Sequence, residues 1–168
     1  YDSRIAMDVY DNIYPLIAKE WKTSDDGLTY TFVLRDDITF HDGSPLRASD
    51  VAYSYERLKE SAFRTRLSGM ISHVEVTDDY TIDFILNDVS ATFMLEMSYQ
   101  FTVYSESATK AGGDSFKENP VGCGPYKFVS MKSNECVLEA YEDYYGDKAP
   151  IKNLIYKVIP EASTALMA

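Results

Sequence analysis

Residues 17–35 read IAKEWKTSDDGLTYTFVLR, and how this stretch folds decides the class of the whole chain. In its second half Tyr30, Phe32 and Leu34 alternate with Thr29, Thr31 and Val33, the period-two pattern of a strand with one buried face. Asp25-Asp26-Gly27 interrupts the alternation with turn residues, and Gly27 can supply the positive φ that such a reversal often demands. The stretch predicts a β-hairpin in which Ile17 to Ser24 pairs with Leu28 to Arg35.

Moving outward, Ile38-Thr39-Phe40 predicts a short strand closed by the turn His41-Asp42-Gly43-Ser44-Pro45. Ala48, Val51, Ala52, Tyr55 and Leu58 then share one stripe at helical spacing, so a helix is expected from about Ala48 to Glu60. Ser49 and Asp50 suit its positive start, and Arg57 and Lys59 its negative end. A second hairpin is expected from Val74–Val76 and Thr81–Leu86 around Asp78-Asp79, with Ile82, Phe84 and Leu86 on one face. Ala91 to Met97 predicts a short helix burying Phe93, Met94 and Met97, and Asp114 to Pro120 a polar loop after Gly112-Gly113.

A third hairpin pairs Tyr126–Met131 with Glu135–Ala140 around Lys132-Ser133-Asn134. Tyr141 to Ala149 is turn-rich and aromatic, Leu154 to Ile159 predicts a strand, and Pro160 opens a helix near Glu161. That helix has about two turns before Ala168 and would be marginal alone, so the natural chain is expected to continue. Hairpins with scattered helices give an α+β class, mostly antiparallel, rather than a doubly wound parallel sheet.

Composition narrows the function. The 168 residues suit one domain, and a hydrophobic fraction of 45% is enough for a packed core. The net charge of −11, with no run of Lys or Arg, argues against nucleic acid and anionic membrane surfaces as partners. No apolar run approaches the roughly 20 residues of a bilayer span, and Tyr1-Asp2-Ser3-Arg4 has no signal-peptide character.

Catalytic candidates are thin. His41 and His73 stand at no metal-ligand spacing, and each is expected to bond local backbone. Cys123, between Gly122 and Gly124, has no neighbouring cation to activate it and predicts a small buried thiol. With Val129 facing Cys136 across the third hairpin, Cys123 lies too far along the strand for a disulfide, so two free thiols are expected. Asp25-Asp26-Gly27 lacks the rest of a calcium loop, and no Gly-rich phosphate loop occurs. The 27 acids leave a carboxylate-pair hydrolase open without selecting a pair. Neither a cofactor nor a metal is expected.

The stretch from Ile17 to Leu58 resembles the signature region of the family 5 extracellular solute-binding proteins, which include dipeptide-, oligopeptide- and nickel-binding proteins. The matching residues are Pro15 to Trp21, Ser24 to Phe32, Leu34-Arg35, Phe40 to Leu46, Ala48, Asp50-Val51 and Tyr53-Ser54. Asn119 to Tyr126, Asp143 to Gly146 and Ile159 to Thr164 are similar to later segments of the same family in the same order, and Tyr1-Asp2-Ser3 to an upstream one. Three positions depart from the pattern. Arg47 replaces a helix-capping Thr, which moves the expected cap to Ser49 or Asp50; Cys123 replaces a Thr and Tyr145 a Trp.

The resemblance implies one subdomain of a two-lobed periplasmic-binding-protein-like fold. Residues 1–150 would be the accessory subdomain of the first lobe, and residues 151–168 a strand and helix start of that lobe's main sheet. Trp21, Tyr30, Phe32, Phe40 and Tyr53 are expected in the core, Gly27, Gly43 and Pro45 in turns, and His41, Asp50, Gly122, Gly124 and Pro125 as further structural positions. Ligand contacts, where this part makes any, are expected from Phe63, Arg64 and Arg66 after the signature helix and from Tyr99, Phe101 and Thr102 after the short helix.

The implied function is capture of a small solute, a peptide first among the classes the family carries, outside the cell in the periplasm or on the cell surface as a lipoprotein. A monomer without enzymatic activity would deliver it to an ABC permease in the membrane. The rival from composition alone is a stand-alone carbohydrate- or protein-binding module using its 14 tyrosines.

Overall fold

A computed structural model describes residues 5–7, 12–61 and 65–160. Nine strands and four α-helices are described: β1 (Ile5–Met7), β2 (Ile13–Pro15), β3 (Ala18–Thr23), β4 (Thr29–Leu34), α1 (Ala48–Lys59), α2 (Thr65–Met70), β5 (Ile71–Asp78), β6 (Thr81–Leu86), α3 (Phe93–Gln100), α4 (Glu106–Gly112), β7 (Tyr126–Lys132), β8 (Glu135–Ala140) and β9 (Asn153–Lys157). Among the described residues every strand pairing is antiparallel, in three sheets ordered β1-β2, β3-β4-β6-β5 and β7-β8-β9. The α+β class is therefore observed.

The decisive hairpin forms as its alternation requires. Trp21 pairs with Phe32 and Thr23 with Tyr30, while Gly27 takes φ +73° in the turn. Asp26 stabilises that turn by accepting from the Ser24 hydroxyl at 2.5 Å and the Leu28 amide at 3.0 Å. The inward residues of β4 and β6 meet in an aromatic cluster centred on Phe84. Its ring lies 5.8 Å from Phe32, 6.3 Å from Tyr55 and 6.0 Å from Phe101, each edge-on. Edge-on pairs set the positive ring edge against the negative face and add about 0.5–1.5 kcal/mol each beyond area burial. Trp21 and Tyr30 sit half-buried at the cluster's border, over Phe32 and Phe93.

Several elements differ from expectation. The strand at Ile38–Phe40 shrinks to one bridge, Thr39 opposite Pro45, because Pro45 has no amide to extend a ladder. The start of α1 stays at Arg47 instead of moving to Ser49 or Asp50. Arg47 offers no acceptor, so the helix makes only half a capping box, in which Asp50 accepts from the Arg47 amide at 2.9 Å. The other oxygen of Asp50 accepts from Glu106 at 2.9 Å, the first residue of α4. One buried carboxylate thus joins two helix starts, and burial pushes its pKa up against those bonds.

The short helix runs over Phe93–Gln100, later than Ala91–Met97. The polar loop expected after Gly112 is a 3₁₀ turn over Gly113–Lys117 that buries Phe116, preceded by the unpredicted α4 with Ser105 as its cap. The third hairpin turns on two residues, Ser133-Asn134, and bulges at Val129. Cys136 therefore faces Met131, not Val129. Neither cysteine is in a disulfide; Cys123 is buried and Cys136 half-buried. The helix expected near Glu161 lies outside the described residues.

His41 also departs from expectation. Its ring bonds backbone, but not that of its own turn: Nε2 donates to the Gly124 carbonyl at 2.9 Å, and the Gly122 amide donates to Nδ1 at 3.4 Å. The His41 amide donates to the Gly122 carbonyl at 2.7 Å, and the Tyr141 ring stands edge-on to the imidazole at 4.9 Å. The Tyr141 hydroxyl donates to the Phe40 carbonyl at 2.9 Å. His73, by contrast, bonds side chains, Ser72 at 3.2 Å and Glu75 at 3.3 Å, on the exposed face of β5.

Candidate functional site

The site residues expected from sequence fall around α2, α3 and the extended segment after α3. Arg66 on α2 reaches Glu96 on α3, Nε to Oε1, at 2.9 Å. Glu96 is buried at 7% exposure, and its second oxygen accepts from the Gln100 side-chain amide. A buried carboxylate needs such partners, because removing water from a charge is costly unless a counter-charge replaces it. Arg66 is therefore committed to holding α2 on α3. Tyr99, one turn along α3, is 68% exposed and presents most of its ring to solvent. Phe63 and Arg64 lie outside the described residues.

Phe101 is 1% exposed, with its ring against Phe84, so it belongs chiefly to the core. Thr102 is half-buried. Both border a groove of about 500 Å³ between the C-terminal half of α1 and the segment 101–104. Ser54, Arg57, Glu60, Ser61, Thr102 and Tyr104 line its polar part, and Leu58 and Phe101, both nearly fully buried, stand behind it. Ser54 fixes the segment to the helix: its hydroxyl accepts from the Tyr104 amide at 2.9 Å and donates to the Asp50 carbonyl at 2.6 Å. The Arg57 guanidinium lies over the Tyr104 ring, 5.1 Å from its centroid.

A second hollow of about 520 Å³ opens beside Arg35, Tyr126, Tyr144, Tyr145 and Pro150. Both of its cations are engaged: Arg35 makes a two-pronged bond with Asp37 at 2.8 and 2.6 Å and lies over the Tyr145 ring, and Lys148 donates to the Glu142 and Tyr144 carbonyls. Of the sequence-expected positions the first groove takes in Phe101 and Thr102, while Arg66 and Tyr99 are not among its lining residues. Sequence reasoning missed Arg57, Ser61 and Tyr104. Arg57 carried only a helix-dipole role, and nothing local signals that Tyr104 will fold against Ser54, 50 residues earlier.

Among the described residues no group of His, Cys, Asp and Glu is placed to hold a metal ion, and no helix is long and apolar enough to cross a membrane. The groove offers contact chemistry: hydroxyl-bearing residues, a cation and the Glu60 carboxylate. Such a mixture orients a small molecule.

Residues 12–168 match the family model for bacterial extracellular solute-binding proteins, family 5 Middle. Among curated proteins, the chain is 32% identical to heme-binding protein A of Haemophilus influenzae over 91% of this chain, and 30% identical to the dipeptide-binding protein of Escherichia coli over 90%. It spans 33% of the length of each. Among solved structures, the ABC transporter-associated periplasmic binding protein DppA from Helicobacter pylori, in complex with the peptide STSA, superposes with a TM-score of 0.87 at 30% identity. That match covers 99% of this chain and 38% of the other.

Proposed function

The chain belongs to the family 5 bacterial extracellular solute-binding proteins, and from that premise we propose that it forms one wall of the solute cleft in an ABC importer's binding protein. The protein captures a small solute outside the cell, closes on it, and presents it to a membrane permease. The observation that carries this reading is the pairing of a family match over residues 12–168 with coverage of only a third of each curated relative. A piece that matches end to end but spans a third of the length is part of a clamp. A self-sufficient carbohydrate- or protein-binding module fits that relationship less well.

A peptide is the favoured solute class, because the dipeptide-binding protein of Escherichia coli and the peptide-bound Helicobacter pylori protein are both among the relatives. Capture and release require no covalent step, so the protein acts without enzymatic activity, as a monomer, in the periplasm or at the cell surface. Residues 1–150 are assigned to an accessory subdomain and residues 151–168 to the first lobe's main sheet. Ile151, Ile155, Tyr156 and Val158, all more than half exposed, are apolar surface suited to burial by the rest of that lobe.

Isothermal titration tests the site, using the natural full-length protein with di- and tripeptides and its Arg64→Ala and Tyr99→Ala variants. Contact with solute predicts weaker binding in at least one variant. Unchanged affinity in both would remove these residues from the cleft wall, and no binding of any peptide would remove peptides as the solute class.

A further inference from the structure

Two polar side chains of α1, Asp50 and Ser54, face inward, where a helix normally buries apolar groups. Each serves α1 with one bond and a distant segment with another. Ser54 donates to the Asp50 carbonyl at 2.6 Å and accepts from the Tyr104 amide at 2.9 Å. Asp50 accepts from the Arg47 amide through one oxygen and from the Glu106 amide through the other, both at 2.9 Å. Burial alternates along the segment they meet: Phe101, Val103 and Ser105 are buried, while Thr102 and Tyr104 are half-buried and line the groove. Phe101 and Val103 hold the segment to the core, but apolar contact is non-directional and does not fix its position along α1. The amide bonds do. Two residues of extended chain cover about 6.6 Å and four residues of helix about 6 Å, so the two amides match the two acceptors. A slip of one residue would exchange the inward and outward side chains.

We infer that Asp50 and Ser54 are positioning residues for solute binding: they fix segment 101–106 in register along α1 and so turn Thr102 and Tyr104 toward the groove. They act through backbone amides, not on solute. This rests on the cleft-wall reading and gives two residues of the signature stretch a role in binding as well as in folding. The chemistry at each position is exacting. Ser54 must donate and accept at once, which Thr can do and Ala cannot. Asp50 must offer two acceptor oxygens, and the side chain of Asn has one.

The test is hydrogen exchange read by mass spectrometry on the natural full-length protein, with isothermal titration of alanyl-phenylalanine and of trialanine. In Ser54→Ala, protection of the 101–106 amides should fall about tenfold, the effect of leaving a buried donor unpaired, while β4 and β6 exchange as in the parent. Affinity for whichever peptide the parent binds should fall about fivefold in the same variant. Ser54→Thr should restore both, and Asp50→Asn should loosen the same segment. Should Asp50→Asn fail to fold, the Ser54 pair decides. Unchanged exchange over 101–106 in Ser54→Ala would overturn the inference, as would protection lost throughout the sheet, the mark of a merely structural role. Parent-like affinity with a loosened segment would also overturn it. No binding of either peptide by the parent would instead remove peptides as the solute class, and the exchange pattern would still decide whether the two residues hold the segment.

Discussion

The His41 ring bridges to Gly124 across 83 residues of chain, its Nε2 donating to the Gly124 carbonyl at 2.9 Å. With the Gly122 amide donating to Nδ1, the imidazole clasps the turn that leads into β7. Both glycines are buried, so their backbone groups have little access to water if the ring is lost. His41→Phe keeps a flat ring and removes both bonds. It should cost about 1–3 kcal/mol, the penalty of leaving buried polar groups unpaired. At roughly 2–4 °C per kcal/mol for a chain of this size, the melting temperature falls by several degrees. A melt coincident with the parent's would refute the clasp.

Acid should unfold the chain through its turn carboxylates. Asp26 is held below its ordinary value of 3.8 by the Ser24 hydroxyl and the Leu28 amide, Asp37 by the Arg35 guanidinium, and Asp78 by the Tyr80 amide. A carboxyl group whose folded pKa is depressed stabilises the fold above its unfolded value and loses that contribution as pH falls through the folded one. The loss should begin near pH 3.8 and grow below it. Asp50 acts with the opposite sign: burial raises its pKa, so protonation as pH falls from neutrality relieves a cost. Asp26→Asn with Asp78→Asn should flatten the acid limb of a stability–pH curve. An acid limb identical to the parent's would sink the assignment.

Local pattern accounts for what the sequence disclosed. Period-two alternation at Tyr30, Phe32 and Leu34 marked β4, because one buried face is a property of the strand itself. The stripe from Ala48 to Leu58 marked α1 for the same reason. Helix α4 escaped, since ESATKAG carries no apolar stripe: what buries it is the Ser105 cap and the reach of Asp50 from α1. The β7–β8 register shifted because a single bulge at Val129 cannot be read from a strand whose two faces both carry apolar residues. Tyr99 was legible as a position in the family pattern. Arg57 was not, because its place depends on the Tyr104 ring, which lies far along the chain.

The thiols should separate by reactivity. Cys123 is 0% exposed between two buried glycines, whereas Cys136 lies half-buried on β8 opposite Met131. A thiol must be reached by reagent as its thiolate to be alkylated. Brief treatment of the native chain with iodoacetamide should therefore label Cys136 first and Cys123 only after denaturation. The unlabelled chain should show its fully reduced mass without reductant. A mass two daltons lower would mean a disulfide, and equal labelling rates would contradict the burial of Cys123.

Phe101 and Tyr99 lie two residues apart and should behave as opposites. Phe101 is packed edge-on against Phe84 at 6.0 Å, and truncating a buried Phe to Ala typically costs about 3–5 kcal/mol, through lost transfer energy and the cavity left behind. Tyr99 is 68% exposed, and a surface change away from special geometry usually stays within about 0.5 kcal/mol. Chemical denaturation of Phe101→Ala should show a large drop in midpoint with an unchanged slope, while Tyr99→Ala tracks the parent. The contrast matters for the solute reading: a binding defect in Tyr99→Ala then reports contact, whereas one in Phe101→Ala reports a weakened core. Equal loss of stability in the two variants would place Tyr99 in the core and end its candidacy as a solute contact.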